Sequence, residues 1–216
     1  MNTYKYIIEK YKIEVGRQYL IDVEGMDGSV ALSKLFAELK LNKGVEVGVD
    51  RGLFSETLCK DNPSLHLSCI DPWKYDCFSE GNPYRLKQDY FDECYKEAVE
   101  KLAPYNATII KKTSMDALAD FKDNSLDFVY IDGNHDFVNF TQDLHYWIKK
   151  VRLGGIVSGH DYAYYSYKKF NHVKRALIAY ARSYRMIPVF AVMFVRKGPA
   201  RDHFRSWFWV KDKECP

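Results

Sequence analysis

The sequence predicts an α/β protein: a mostly parallel sheet, doubly wound with helices on both faces, closed by an antiparallel hairpin at its C-terminal end. Three observations carry that prediction. Short apolar, β-rich runs alternate with amphipathic stretches between residues 44 and 158, the pattern of strands joined by crossover helices. The first run ends in Gly44-Val-Glu-Val-Gly-Val-Asp-Arg-Gly52, a glycine turn into a helix that lets the chain reverse and brings backbone close to a ligand. The last two β-rich runs, 188–196 and 206–211, are joined by a Gly-Pro-containing loop without helical periodicity, so they form a hairpin expected at one sheet edge.

The elements follow in order. Residues 4–13 and 28–40 read as helices, the second with Val30, Leu32, Leu35, Phe36 and Leu39 at helical spacing. Strands are predicted at 44–49, 65–70, 107–111, 126–131 and 155–158. A helix starts at Leu53, and a longer insertion between Trp73 and Asn106 opens with a Gly-Asn-Pro turn near Gly81 and continues as a helix over 84–102. Material after a strand's carboxyl end can cover a ligand crevice. The expected organisation is one domain: a helical segment, 1–43, packed on a core of residues 44–216.

Composition excludes several classes. With 216 residues, 47% hydrophobic and 28% charged, the chain can bury one substantial core. It has no apolar run of about 18 residues and no leader-like N-terminus, so a soluble, cytoplasmic protein is expected. Five cysteines, Cys59, Cys69, Cys77, Cys94 and Cys215, lack metal-ligand spacing and read as reduced thiols. The net charge of +3 is unevenly spread. From Tyr162 onward twelve Lys and Arg face only Asp202, Asp212 and Glu214, and the preceding residues are net acidic. Lys168, Lys169, Lys174, Arg175, Arg182 and Arg185 cluster in or beside one predicted helix, either a solvated face or a surface that attracts an anionic acceptor.

Acidic residues stand where the strands end: Glu46 and Asp50 around the glycine turn, Asp71, Asp132 in Ile131-Asp-Gly-Asn-His135, and Asp161 in Gly154-Gly-Ile-Val-Ser-Gly-His-Asp-Tyr162. In an open α/β sheet the ligand lies beyond those ends. Asp71 comes 23 residues after Gly48, where a carboxylate can accept hydrogen bonds from ribose hydroxyls. Preceding Pro72, it could equally start a turn.

In the order and content of these segments the chain resembles the class I S-adenosylmethionine-dependent methyltransferases, and within them a small-molecule O-methyltransferase-like group with Ile-Asp-Gly-x-His and Gly-His-Asp-Tyr motifs. The resemblance covers residues 44 to the C-terminus. It implies a Rossmann-like sheet of seven strands, methyl transfer to a small hydroxylated acceptor such as a sugar or sugar nucleotide, and S-adenosyl-L-methionine as cofactor. It sets the methionine part against Glu46, Gly48 and Gly52, the ribose on Asp71, and the adenine beside Ser114 and Met115, with Asp132 completing the pocket. Ser114 could also be the N-cap of a helix over 115–121.

In metal-dependent relatives a carboxylate after the fourth of these strands and an acidic or amide pair after the fifth hold Mg²⁺. Asp132 matches the first position, and His160 and Asp161 match the pair, with His where those relatives carry Asp. An imidazole weakens the case for Mg²⁺ and leaves Mn²⁺, Fe²⁺, Zn²⁺ or a metal-free site. His135 and His160 are the candidate bases, alongside Asp132. Tyr162, Tyr164, Tyr165 and Tyr167 form an aromatic stretch suited to an acceptor rim or to packing. Competing readings are a nucleic-acid methyltransferase, favoured by the basic C-terminal segment, and a non-catalytic binding protein on the same fold. A nicotinamide enzyme is disfavoured, because three residues separate Gly48 from Gly52.

Overall fold

The computed structural model describes residues 2–16, 18–75, 87–163, 172–194 and 204–214. Its strands are β1 (Leu20–Asp27), β2 (Lys43–Val47), β3 (His66–Ile70), β4 (Ala107–Ile110), β5 (Leu126–Ile131), β6 (Val151–Gly159), β7 (Val189–Met193) and β8 (Trp207–Val210). Its helices are α1 (Thr3–Lys10), α2 (Gly28–Glu38), α3 (Leu53–Asp61), α4 (Gln88–Leu102), α5 (Ser114–Ala117), α6 (Phe137–Lys150) and α7 (Val173–Tyr184).

The strands form one eight-stranded sheet in the order β1-β7-β8-β6-β5-β2-β3-β4. β8 runs antiparallel to β6 and β7, and every other neighbouring pair is parallel. The α/β class and the C-terminal hairpin are as the sequence predicts. Two details differ. Among the described residues the sheet has eight strands where seven were expected, because β1 forms inside the N-terminal segment expected to be helical. The hairpin therefore does not end the sheet: β1 pairs with β7 and takes the edge. Leu-Ile-Asp-Val-Glu-Gly-Met-Asp carries period-2 alternation, with Ile21 and Val23 buried and Asp22 and Glu24 exposed. That is the signature of a half-buried strand, weakened by three acids and a glycine.

The helices cover both faces. Ile7 of α1, Leu32 and Phe36 of α2, Leu58 of α3 and Ala98 of α4 belong to one buried cluster, and Leu144 and Trp147 of α6 and Leu177 of α7 to the other. Burying a large side chain in such a core contributes roughly 1.5–3 kcal/mol. On α6 the buried stripe reads Phe140, Asp143, Leu144, Trp147, Ile148, an apolar 3.6-residue pattern interrupted by one carboxylate. No helix among the described residues is long and apolar enough to cross a membrane. Cys59, Cys69 and Cys94 are buried free thiols; Cys77, Cys215 and the turn near Gly81 lie outside the described residues.

Strand order sets the site. β2 and β5 are adjacent at the centre, β3 and β4 extend to one side, and β6 begins the other. This reversal opens a crevice beyond the carboxyl ends of β2 and β5. Registers Val47↔Ile70, Val47↔Ile131 and Ile131↔Gly159 put the residues after these strands side by side.

Candidate active site

At the end of β2 the Gly48 amide donates to Ile70 O at 2.9 Å, and its φ is +86°. A Cβ there would lie 2.2 Å from the Asp132 carbonyl oxygen. Only glycine fits this crossing. The turn beyond it is held by the next strand end. Asp71 accepts the Val49 and Asp50 amides on Oδ2 at 3.0 and 3.1 Å and the Trp73 amide on Oδ1 at 2.8 Å. Burial raises the Asp71 pKa above the ordinary carboxylate value even with these three donors. The Trp73 indole N–H donates to Asp50 O at 2.8 Å, and the buried ring meets Tyr95 edge-on.

A cavity of about 620 Å³ opens over this turn, lined by Gly48, Asp71, Trp73, Ser114, Met115, Asp132, His135 and Asp143 among others. Its size is that of a cofactor or drug-sized ligand. Two residues expected against the cofactor, Glu46 and Gly52, are not among those lining this cavity. Glu46 points to the opposite face of the sheet, buried, where it accepts the Ser55 hydroxyl; burial pushes its pKa up to about 8. Gly52, with φ +71°, would bring a Cβ to 3.3 Å from the Ala98 Cα, so it serves the close packing of α3 on α4. The alternation of β2 explains Glu46: Val45 and Val47 point to one core and Glu46 to the other.

Across the cavity, Thr113 is the N-cap of α5, its side chain accepting the Asp116 amide. Ser114, read as a possible N-cap, is instead the first helical residue. Its hydroxyl donates to Asp143 Oδ1 at 2.5 Å and accepts from the Trp147 indole N–H at 2.8 Å. Asp143, 4% exposed, is a cavity residue that strand-end reasoning misses. Burial outweighs the Ser114 hydrogen bond and raises its pKa to about 7. The signal was present in the sequence as the one acid in the apolar stripe of α6.

At the other end, the Asp132 amide donates to Val47 O at 2.7 Å and the His160 amide to Ile131 O at 3.1 Å, fixing both loops on the sheet. His135 Nε2 lies 3.3 Å from Asp132 Oδ1 and 3.2 Å from Asp161 Oδ2. His160 Nδ1 is 3.3 Å from Asp161 Oδ2 and 3.9 Å from Asp132 Oδ1. Two carboxylates and two imidazoles thus form one cluster. Side-chain atoms of Asp132, His135 and Asp161 all fall within 4.8 Å of one another, so the convergent metal-type trio contains His135 where the sequence expectation had His160. Only Asp132 and His135 of the cluster line the cavity. Burial lowers the His135 pKa, but the Asp132 hydrogen bond and the charges of Asp161 and Asp132 more than reverse this, and the net direction is upward.

Of the tyrosine stretch, Tyr162 alone falls among the described residues. Tyr162 is buried, with the Lys174 ammonium 4.5 Å and the Arg205 guanidinium 5.7 Å from its ring centre. Arg205 also bonds Asp22 and the Val192 and Ala191 carbonyls. Tyr164, Tyr165, Tyr167, Lys168 and Lys169 lie outside the described residues.

Residues 45–162, more than half of the chain, match the family model of a methyltransferase domain. The chain belongs to that family. The glycine turn, the cavity and the four-residue cluster all belong to this methyltransferase domain or border it. In solved structures, the chain is similar to the Bacillus cereus O-methyltransferase in complex with SAH, at TM-score 0.62 and 13% identity over 98% of this chain and 91% of that one. It is also similar to the O-methyltransferase TomG of Streptomyces achromogenes, involved in tomaymycin synthesis and solved with SAM, at TM-score 0.59 and 13% identity over 97% and 89%. Cofactor-bound Rv0187 from MTB gives TM-score 0.61 and 14% identity over 98% and 90%. At these identities the likeness is one of fold. Among curated proteins, the chain is similar to uncharacterized protein y4gI of Sinorhizobium fredii (strain NBRC 101917 / NGR234), 25% identical over 129 residues. That match spans 57% of this chain and only 13% of the relative's length.

Proposed function

We propose that this methyltransferase moves the methyl group of S-adenosyl-L-methionine to an oxygen of a small hydroxylated acceptor, with a sugar or sugar nucleotide as the leading class. The observation that carries the reading is the cavity itself: a braced glycine turn and Asp71 bound one part of it, and Asp132 and His135, backed by Asp161 and His160, bound another. Structural neighbours solved with SAH or SAM support the cofactor.

In this reading the cofactor lies over Gly48, its ribose beside Asp71 and its adenine against Ser114 and Met115. Among the described residues Asp71 Oδ1 accepts the Trp73 amide alone, which leaves it a lone pair for a ribose hydroxyl. Bound there, S-adenosylmethionine supplies an electrophilic methyl group. The protein's part is to align the acceptor oxygen and to take its proton. His135 is the base in this reading: it lines the cavity, and Asp132 and Asp161 beside its Nε2 would stabilise the imidazolium formed when its other ring nitrogen takes the proton.

The same donors suit a divalent ion. Asp132, His135 and Asp161 would hold it, and it would lower the pKa of a coordinated hydroxyl. Two carboxylates and an imidazole match Mn²⁺, Fe²⁺ or Zn²⁺ better than Mg²⁺. The test is isothermal titration with S-adenosylhomocysteine after chelation, then with Mn²⁺ or Mg²⁺ restored. The expected result is binding of about −8 kcal/mol, micromolar strength, with metal uptake that Asp161→Ala abolishes. No binding in either condition would end the cofactor reading.

A further inference from the structure

The cluster of carboxylates and imidazoles has a basic neighbour that the proposed chemistry does not use. Arg205 stands just before β8, and Lys174 lies in the first turn of α7. Both sit against the ring of Tyr162, the residue after Asp161: the Lys174 ammonium is 4.5 Å and the Arg205 guanidinium 5.7 Å from its centre. Each is carried by a segment bonded to a loop of the cluster. The Tyr162 amide donates to Arg205 O at 2.8 Å, and the His172 amide, just before α7, donates to His135 O at 2.8 Å. Neither cation lines the cofactor cavity, so the pair borders the cluster from outside it.

Arg205 is 7% exposed, a burial that requires partners for its donors. Its Nε–H is given to Val192 O at 2.5 Å, and Nη2 donates to Ala191 O at 3.2 Å and to Asp22. The guanidinium also lies 5.3 Å from the Phe194 ring centre. These contacts fix the group and leave Nη1, with its two N–H donors, bonded to none of the described residues. Lys174 brings a second positive charge. Burial and the Arg205 charge lower its pKa, and the Asp22 charge opposes them without restoring it. The Asp22 side chain is 53% exposed, so solvent screens its compensation. Two cations that disfavour each other's charge are complementary to an added anion.

Resting on the methyltransferase reading above, we propose that Arg205 Nη1 and the Lys174 ammonium bind an anionic oxygen group of the acceptor, a phosphate or a carboxylate. The acceptor is then oriented by charge. Its hydroxyl goes to Asp132, His135, Asp161 and His160, where carboxylates repel an anion and a base takes a proton, and its anionic group goes to the cation pair. A neutral sugar has nothing to give the pair. The substrate class narrows to hydroxylated acceptors that carry negative charge.

The test is isothermal titration of protein saturated with S-adenosylhomocysteine, at low ionic strength, with inorganic phosphate and separately with acetate. Wild type is expected to bind at least one at about millimolar strength, and the tighter of the two identifies the acceptor's group as phosphate or carboxylate. Lys174→Met keeps an apolar stem beside Tyr162 and removes the charge, so affinity should fall about tenfold or more. Arg175→Met removes the same charge at the adjacent exposed position and should leave affinity within about twofold. Both variants are first shown to keep the wild-type melting transition. Equal losses in the two would assign the effect to diffuse helix charge and overturn the inference, as would wild type that binds S-adenosylhomocysteine but neither anion. Failure to bind S-adenosylhomocysteine would overturn the cofactor reading and the acceptor site with it. On an acceptor found by screening, Lys174→Met should raise KM about tenfold and hold kcat within about twofold, as loss of binding common to ground and transition states does. An unchanged KM would remove the pair from acceptor binding.

Discussion

The two ends of the cavity are built differently. At the glycine turn the ligand-facing surface is largely backbone, set by one residue without a side chain and braced from outside by Asp71 and Trp73. At the other end it is side chain, with four titratable groups within hydrogen-bonding or ion-pairing distance of one another. A backbone surface gives shape and little chemistry, which suits a cofactor whose reactive centre is already in place. A cluster of carboxylates and imidazoles gives proton transfer and ion binding, which an acceptor requires. Damage to the two ends should therefore separate cleanly, the first in binding and stability, the second in turnover.

His135→Ala breaks the comparison at its most sensitive point. It removes the imidazole that links Asp132 to Asp161, and turnover on any acceptor found by screening should fall about 10²- to 10⁴-fold. Affinity for S-adenosylhomocysteine should stay within about threefold, because the turn is untouched. A matched loss of both would mean the ends are one unit. Gly48→Ala acts on the other end. The added Cβ meets the Asp132 carbonyl oxygen at 2.2 Å with φ at +86°, and neither a backbone carbonyl nor a positive φ yields cheaply. Urea denaturation should show a loss of about 3 kcal/mol or more, with cofactor affinity lost as well. Near-wild-type stability would show that the crossing of β2 and β5 can relax.

What could be read from the sequence follows the same division. Gly48, Asp71 and Asp132 were legible because glycine and acid at strand ends have a local pattern, and the strand order carries them to one crevice. Glu46 and Gly52 belong to that pattern but do not line the cavity: strand alternation turns Glu46 away, and Gly52 meets α4, whose approach no local pattern records. The exchange of His160 for His135 in the convergent trio depends on how two loops meet across Ile131↔Gly159, a tertiary fact. Asp143 was visible as a misplaced acid in an apolar helical stripe, but what it faces depends on where Ser114 arrives. β1 escaped prediction because an edge strand that buries only alternate residues leaves a short signal.

The smallest expected effect on ligand binding belongs to Glu46, on the face of β2 away from the cavity. Glu46 is buried, and burial raises its pKa from 4.5 to about 8. The unfolded chain ionises near the lower value, so at intermediate pH the folded state binds the extra proton. The contribution of Glu46 to stability is fullest below about pH 4.5 and declines as pH rises toward about 8, with a slope of at most about 1.4 kcal/mol per pH unit. Asp143 adds a contribution of the same sign over its own, lower window, from 3.8 to about 7. Glu46→Gln retains an oxygen for the Ser55 hydroxyl and cannot ionise, so urea midpoints measured from pH 5 to 8.5 should decline less steeply than in wild type, with the difference greatest near pH 8. Since Glu46 faces away from the cavity, affinity for S-adenosylhomocysteine should change by less than about threefold. An unaltered pH slope would show that Glu46 is charged in the fold, and a large loss of affinity would return it to the cofactor's surroundings, where the family resemblance had placed it.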